Sequence, residues 1–155
     1  MLHPLFLKTT NVHFLIVGGG YAAQEQLACL IRSCPEVTVT IVSPLFREEL
    51  KLLASDKRNV ELVKAIYDSK YLKGKQVVFT ATDNPEVNRQ VFVYCKAIDK
   101  LVSVLYESSS YSDFHSAKLA AKNDIKIAIS TKGKYPDTSE RLCKFFKELL
   151  PDEID

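Results

Sequence analysis

The chain has 155 residues, 46% of them hydrophobic and 26% charged, values that exclude a disordered, collagen-like or coiled-coil protein and suit one compact domain with at most a short extension. Lys and Arg number 21 against 19 Asp and Glu, and a net charge of +2 is too weak a field to predict binding to nucleic acid or an anionic membrane. Cys29, Cys34, Cys95 and Cys143 form no CxxC pair and flank no histidine pair, so reduced, buried thiols are expected, with neither a zinc site nor a disulfide framework.

Residues 1–8 lack the pattern of a signal peptide, and no apolar run approaches the ~20 residues that span a bilayer. A soluble, cytoplasmic protein is expected. Residues 12–17 (VHFLIV) are apolar and β-prone, as in a parallel strand covered on both faces. Gly18-Gly19-Gly20 stops the strand, and Leu27, Leu30 and Ile31 then recur at helical spacing until Pro35. Residues 37–42 (VTVTIV) return as a strand that closes at Ser43-Pro44, completing a βαβ unit with a right-handed crossover.

A short helix over 47–53, a third strand over 60–63 and a fourth, central strand over 77–80 follow. Asn84-Pro85 supplies an N-cap and a first-turn proline for a helix whose apolar face is Val87, Val91, Phe92, Cys95 and Ile98. Residues 101–105 make a fifth strand, and 106–113 (YESSSYSD) are too polar for a core element and read as a loop. Residues 114–121 are ambiguous between strand and helix, 122–124 suggest a turn, and 125–130 alternate as a strand, so a hairpin is expected. Asp137 and Glu140 have capping-box spacing behind Pro136, and Leu142, Phe145, Phe146 and Leu149 carry the apolar face of a last helix. The pattern predicts an α/β fold: a Rossmann-like, mostly parallel sheet with helices on both faces, then a C-terminal hairpin and helix. Its expected parts are a nucleotide-binding domain over 1–105 and a short substrate or dimerisation extension over 106–155, the two forming one domain if continuous.

Gly18, Gly20 and Ala23 make G-x-G-x-x-A. The first glycine permits a tight turn, the second lets backbone approach a pyrophosphate, and the small third residue lets helix and strand pack closely. Free N–H groups at the helix start then face the phosphates. Alone, the pattern also fits a plain βα turn. The acidic residue expected at the end of the second strand is replaced by Ser43, which can still meet a ribose hydroxyl. Arg47 can meet a 2′-phosphate or simply be solvated, so the choice between NAD and NADP stays open.

Pro4-Leu5-Phe6-Leu7, the strand and turn of 14–20, Ala81-Thr82-Asp83-Asn84 with Asn88, and the run of 127–136 (IAISTKGKYP) together resemble the precorrin-2 dehydrogenase domain of siroheme synthases. The resemblance covers nearly the whole chain in order and spacing. It implies NAD-dependent oxidation of precorrin-2 to sirohydrochlorin, in some members with insertion of ferrous iron, by homodimers. It further implies that Gly18, Gly20, Tyr21 and Ala22 lie along the dinucleotide, Ser43 and Pro44 near the adenosine ribose, and Thr82 and Asp83 at the carboxyl edge of the sheet. Capping the following helix is the structural alternative for Asp83 and Asn84. His115, Lys132 and Lys134 stand in or beside matched segments as candidate contacts for the carboxylates of the tetrapyrrole substrate. His115 has no second ligand at metal spacing, and no resident metal site is expected.

The family carries a catalytic aspartate just after the fifth strand, where this chain reads Ser103-Val104-Leu105-Tyr106-Glu107. Aligning by the strand selects Tyr106; counting back from Ser130-Thr131 selects Glu107, the preferred candidate, because a carboxylate can accept a proton. The altered loop also raises a contrasting expectation, a degenerate member that binds nucleotide or tetrapyrrole without turnover. Relatives continue into a helical dimerisation region beyond the last helix found here.

Overall fold

A computed structural model describes residues 3–105, 112–122, 125–131 and 134–151. The chain divides into two compact units, Met1–Phe114 and His115–Asp155. The first is built as β1 (His13–Val17), α1 (Tyr21–Ser33), β2 (Thr38–Ser43), α2 (Glu48–Ser55), β3 (Val60–Lys64), a 3-10 turn (Ser69–Leu72), β4 (Val77–Thr80), α3 (Pro85–Ala97) and β5 (Leu101–Val104). Its five strands are all parallel, in the order β3-β2-β1-β4-β5. The middle position belongs to β1, with the expected central strand β4 beside it. The 3-10 turn, with Asp68 accepting from the Lys70 N–H, had no periodic signal in the sequence.

Alternation along β1 explains why both faces of the sheet are covered. Phe14 and Ile16 point into a cluster with Ala23 and Leu27 of α1, Leu50 and Ala54 of α2, and Phe79. Leu15 and Val17 point the other way, to Leu72, Val91 and Cys95. Leu15, Ile16, Leu27 and Leu50 are wholly buried, each worth about 1.5–3 kcal/mol relative to exposure. Beyond β5, the exposed edge is covered: Asp113 N–H donates to the Val102 carbonyl at 2.9 Å, and Val104 N–H donates to Ser112 Oγ at 2.9 Å. An ion pair from Asp113 to Lys96 at 2.7 Å fastens this segment to α3.

In the second unit β6 (Lys118–Lys122) and β7 (Ile125–Ile129) form the expected antiparallel hairpin, followed by α4 (Pro136–Leu149). The capping box is not used. With Pro136 in the first turn, the N-cap is Tyr135, which has no side-chain cap bond. Thr131 and Ser139 hydroxyls meet at 2.8 Å and both reach the Tyr135 carbonyl instead.

Of the four thiols only Cys95 is fully buried; Cys29, Cys34 and Cys143 are half-buried, and all four are free. Among the described residues no helix is long and apolar enough to cross a membrane.

Candidate dinucleotide cleft

Because all five strands run in parallel, their carboxyl ends share one edge of the sheet. The chain leaves β1 toward β2 on one side, while β4 stands on the other. Between β1 and β4 the strand order therefore reverses, the place where open α/β sheets hold ligands. A cleft of about 650 Å³ lies there, lined by residues 17–20 after β1, residues 42–47 at the end of β2, and residues 81–84 after β4.

The three glycines have three different reasons to be glycine. Gly18 has φ +124°, and a Cβ there would stand 2.7 Å from the Ala81 carbonyl carbon and 3.1 Å from the Thr82 nitrogen. Only glycine tolerates both the left-handed backbone and this approach. Gly19, to which the sequence assigned nothing, is crowded: a Cβ would lie 2.9 Å from both Phe46 Cδ1 and Ser43 Oγ. Its carbonyl accepts from the Arg47 N–H at 2.9 Å, fastening the turn to the start of α2. Gly20 has extended backbone as the N-cap of α1, and a Cβ there would meet no atom within 4 Å. Nothing in the protein forbids a side chain at Gly20; the space beside it is open.

At the start of α1 no side chain caps the helix and the first turn holds no acidic residue. Gln24 is the first residue to donate into the helix, to Gly20 at 3.1 Å. The N–H groups of Tyr21, Ala22 and Ala23 therefore lack helical acceptors, and an anion complements them and the positive dipole end. Ala23, wholly buried in the core, is the small third residue of the motif. Ala22 packs at the margin of the same cluster. Tyr21 is exposed, with the Arg47 guanidinium 5.7 Å above its ring. Neither Tyr21 nor Ala22 has its side chain in the cleft lining.

On the β2 side Ser43 and Pro44 do line the cleft. The Ser43 hydroxyl donates to the Leu45 carbonyl at 2.7 Å, so it shapes the loop. Arg47 lines the same end and pairs with Glu49 at 3.2 Å. A backbone hydrogen bond, and then Arg47, hold the Glu49 carboxyl below its usual range.

Across the cleft Thr82 and Asp83 end the β4 loop, with Asp83 exposed at the rim. Asn84 is the N-cap of α3, its Oδ1 accepting from Glu86 N–H at 3.0 Å and Val87 N–H at 3.4 Å. Asn88, almost completely buried, braces the loop: its Oδ1 accepts from the Thr80 and Thr82 hydroxyls, and its Nδ2 donates to the Thr82 carbonyl. Tyr67 also lines the cleft, yet its hydroxyl is buried with no hydrogen-bond partner among the described residues, and desolvation pushes its ionisation well above that of an ordinary phenol.

His115 is half-buried and Lys134 exposed, both in the second unit. Glu107, its rival Tyr106 and Lys132 lie outside the described residues.

The open space at Gly20, the uncapped helix start and a cleft lined from the ends of β1, β2 and β4 fit a dinucleotide with its pyrophosphate on α1. Comparison with known proteins agrees. A family model described as putative NAD(P)-binding matches residues 5–117. A siroheme synthase of Psychrobacter sp. (strain PRwf-1) is 40% identical over 148 residues, which are 96% of this chain and 30% of that protein. The siroheme synthase of Pseudoalteromonas translucida (strain TAC 125) is 32% identical over 151 residues, 97% of this chain and 31% of the relative. The chain thus spans about a third of the length of these relatives. The solved structure titled SirC, precorrin-2 dehydrogenase, superposes with a TM-score of 0.73 at 20% identity, covering 97% of this chain and 72% of that one. The resemblance drawn from the sequence motifs holds, and the fold is the one expected.

Proposed function

Since this chain belongs to the putative NAD(P)-binding family, we propose that it is a dehydrogenase module of siroheme biosynthesis, a soluble cytoplasmic enzyme that oxidises precorrin-2 to sirohydrochlorin with NAD. The observation that carries the reading is the cleft at the β1/β4 reversal, where Gly20 leaves open space in front of the free N–H groups of α1. The names of its relatives and of its structural neighbour supply the substrate class.

Bound NAD supplies the hydride acceptor. The protein's part is to bind and orient. Amides of Tyr21, Ala22 and Ala23 hold the pyrophosphate, the Gly20 position lets it come close, and Asn88 keeps the Thr82–Asp83 loop at a fixed distance across the cleft. Glu107 takes the proton that leaves the tetrapyrrole, with His115, Lys132 and Lys134 meeting the peripheral carboxylates. Insertion of ferrous iron is a further reaction of the product, with iron as substrate. The assembly that the family resemblance implies is a homodimer. Light scattering at micromolar concentration is expected to give twice the chain mass.

Tyr106-Glu107 in place of the family's aspartate context favours a second reading, a protein that binds nucleotide or tetrapyrrole without turnover. One assay separates the two: the absorbance change of precorrin-2 mixed with the protein and NAD, with and without ferrous iron. Conversion with NAD alone supports the dehydrogenase, and further change on adding iron supports chelation. No conversion, with NAD bound in calorimetry, supports the non-catalytic reading.

A further inference from the structure

Among the described residues, Arg47 is the one charged side chain that lines the β2 end of the cleft. Ser43 stands where dinucleotide folds place the carboxylate that accepts the ribose 2′-hydroxyl and repels a phosphate, and its hydroxyl is engaged with Leu45. Among the cleft-lining residues Arg47 and Asp83 are the charged ones, Arg47 beyond β2 and Asp83 beyond β4, with β1 between those strands. The first carboxylates after β2, Glu48 and Glu49, lie in the first turn of α2, where they pair with Lys51 at 2.6 Å and Arg47 at 3.2 Å. We propose that the Arg47 guanidinium accepts a ribose 2′-phosphate, so that the cleft takes NADP as well as NAD; this rests on the dinucleotide reading above.

Three properties of Arg47 suit it to that task. Its planar fork offers paired N–H donors that match phosphate oxygens, which a solvated ammonium does less well. Its present partner Glu49 takes two hydrogen bonds, from Nε at 3.3 Å and Nη2 at 3.2 Å, but the two side chains are 43% and 57% exposed, so solvent and salt screen the pair. A phosphate monoester with about −1.5 to −2 charge out-competes one solvated carboxylate. Finally, its backbone N–H is already bound to Gly19, so the side chain can reorient without moving the glycine turn.

The test is titration calorimetry of the full chain with NAD and NADP separately, in wild type, Arg47→Ala and Glu49→Gln. Both dinucleotides are expected to bind wild type. Arg47→Ala should weaken NADP at least about tenfold more than it weakens NAD, the loss of one charge-assisted contact. Glu49→Gln, which frees the guanidinium, should tighten NADP relative to NAD. Wild type that binds NAD but rejects NADP, or an Arg47→Ala variant that weakens both equally, overturns the assignment. Folded wild type that binds neither overturns the dinucleotide reading beneath it, a result distinct from both.

Discussion

Thr82 and Asn88 hold each other twice: the Thr82 hydroxyl donates to Asn88 Oδ1 at 2.7 Å, and Asn88 Nδ2 donates back to the Thr82 carbonyl at 2.9 Å. A side chain from the first turns of α3 thereby sets the position of the loop that forms one wall of the cleft. Asn88→Ala leaves the Thr82 carbonyl and two hydroxyls without this partner. We expect a loss of about 1–3 kcal/mol in urea unfolding together with weaker NAD binding. Unchanged stability and unchanged affinity would show that the brace is dispensable.

The neighbouring glycines separate binding from folding. Gly20→Val places its side chain in open space, so the urea midpoint should hold while NAD binding disappears from calorimetry. Gly19→Ala forces a Cβ against Phe46, Ser43 and the Leu45 backbone, and should lower the midpoint. Equal NAD affinity in Gly20→Val would retire the pyrophosphate role of that position.

Tyr67→Phe deletes a buried hydroxyl that has no partner among the described residues. Removing an unsatisfied polar group of the same shape is expected to raise unfolding stability by about 1 kcal/mol. A clear loss of stability in the variant would contradict the structure at this point.

Burial lifts the Cys95 thiol from 9.0 to about 11. The folded protein thus holds this proton more tightly than the unfolded chain does. Its contribution is fully present below pH 9 and is lost as pH rises through 11. Stability of wild type relative to Cys95→Ala should accordingly shrink across that window. A constant difference between the two proteins would rule out the linkage.

Glu107→Gln keeps shape and removes basicity, so turnover of precorrin-2 should fall by roughly 10²–10⁴ with cofactor affinity retained. Tyr106→Phe should matter little. If instead the tyrosine variant collapses and the glutamine variant survives, the register that selects Glu107 is wrong.

Strands, helices and the glycine turn were legible because their signals are local: alternation in β2, helical spacing in α1, and Asn84-Pro85 at the start of α3. Gly18 and Gly20 were readable for the same reason. Gly19 was not, because the atoms that crowd it belong to residues 43–46, brought beside it only when β2 pairs with β1. Asn88 entered only within the motif that carries the resemblance, with no bracing role, because its burial follows from α3 packing over the end of β4. The spacing of Asp137 and Glu140 misled because Pro136 already occupies the first turn, which places the cap one residue before that proline and leaves both acids inside the helix.

The hydrogen bond from the Arg47 backbone to Gly19 divides two traits within a single residue. Any amino acid with an N–H can supply the fastening of the turn, whereas what residue 47 presents to the cleft depends on its side chain. Position 47 is therefore free to vary without disturbing the loop it anchors. Substitution there can remodel the β2 end of the cleft while the glycine turn keeps its geometry.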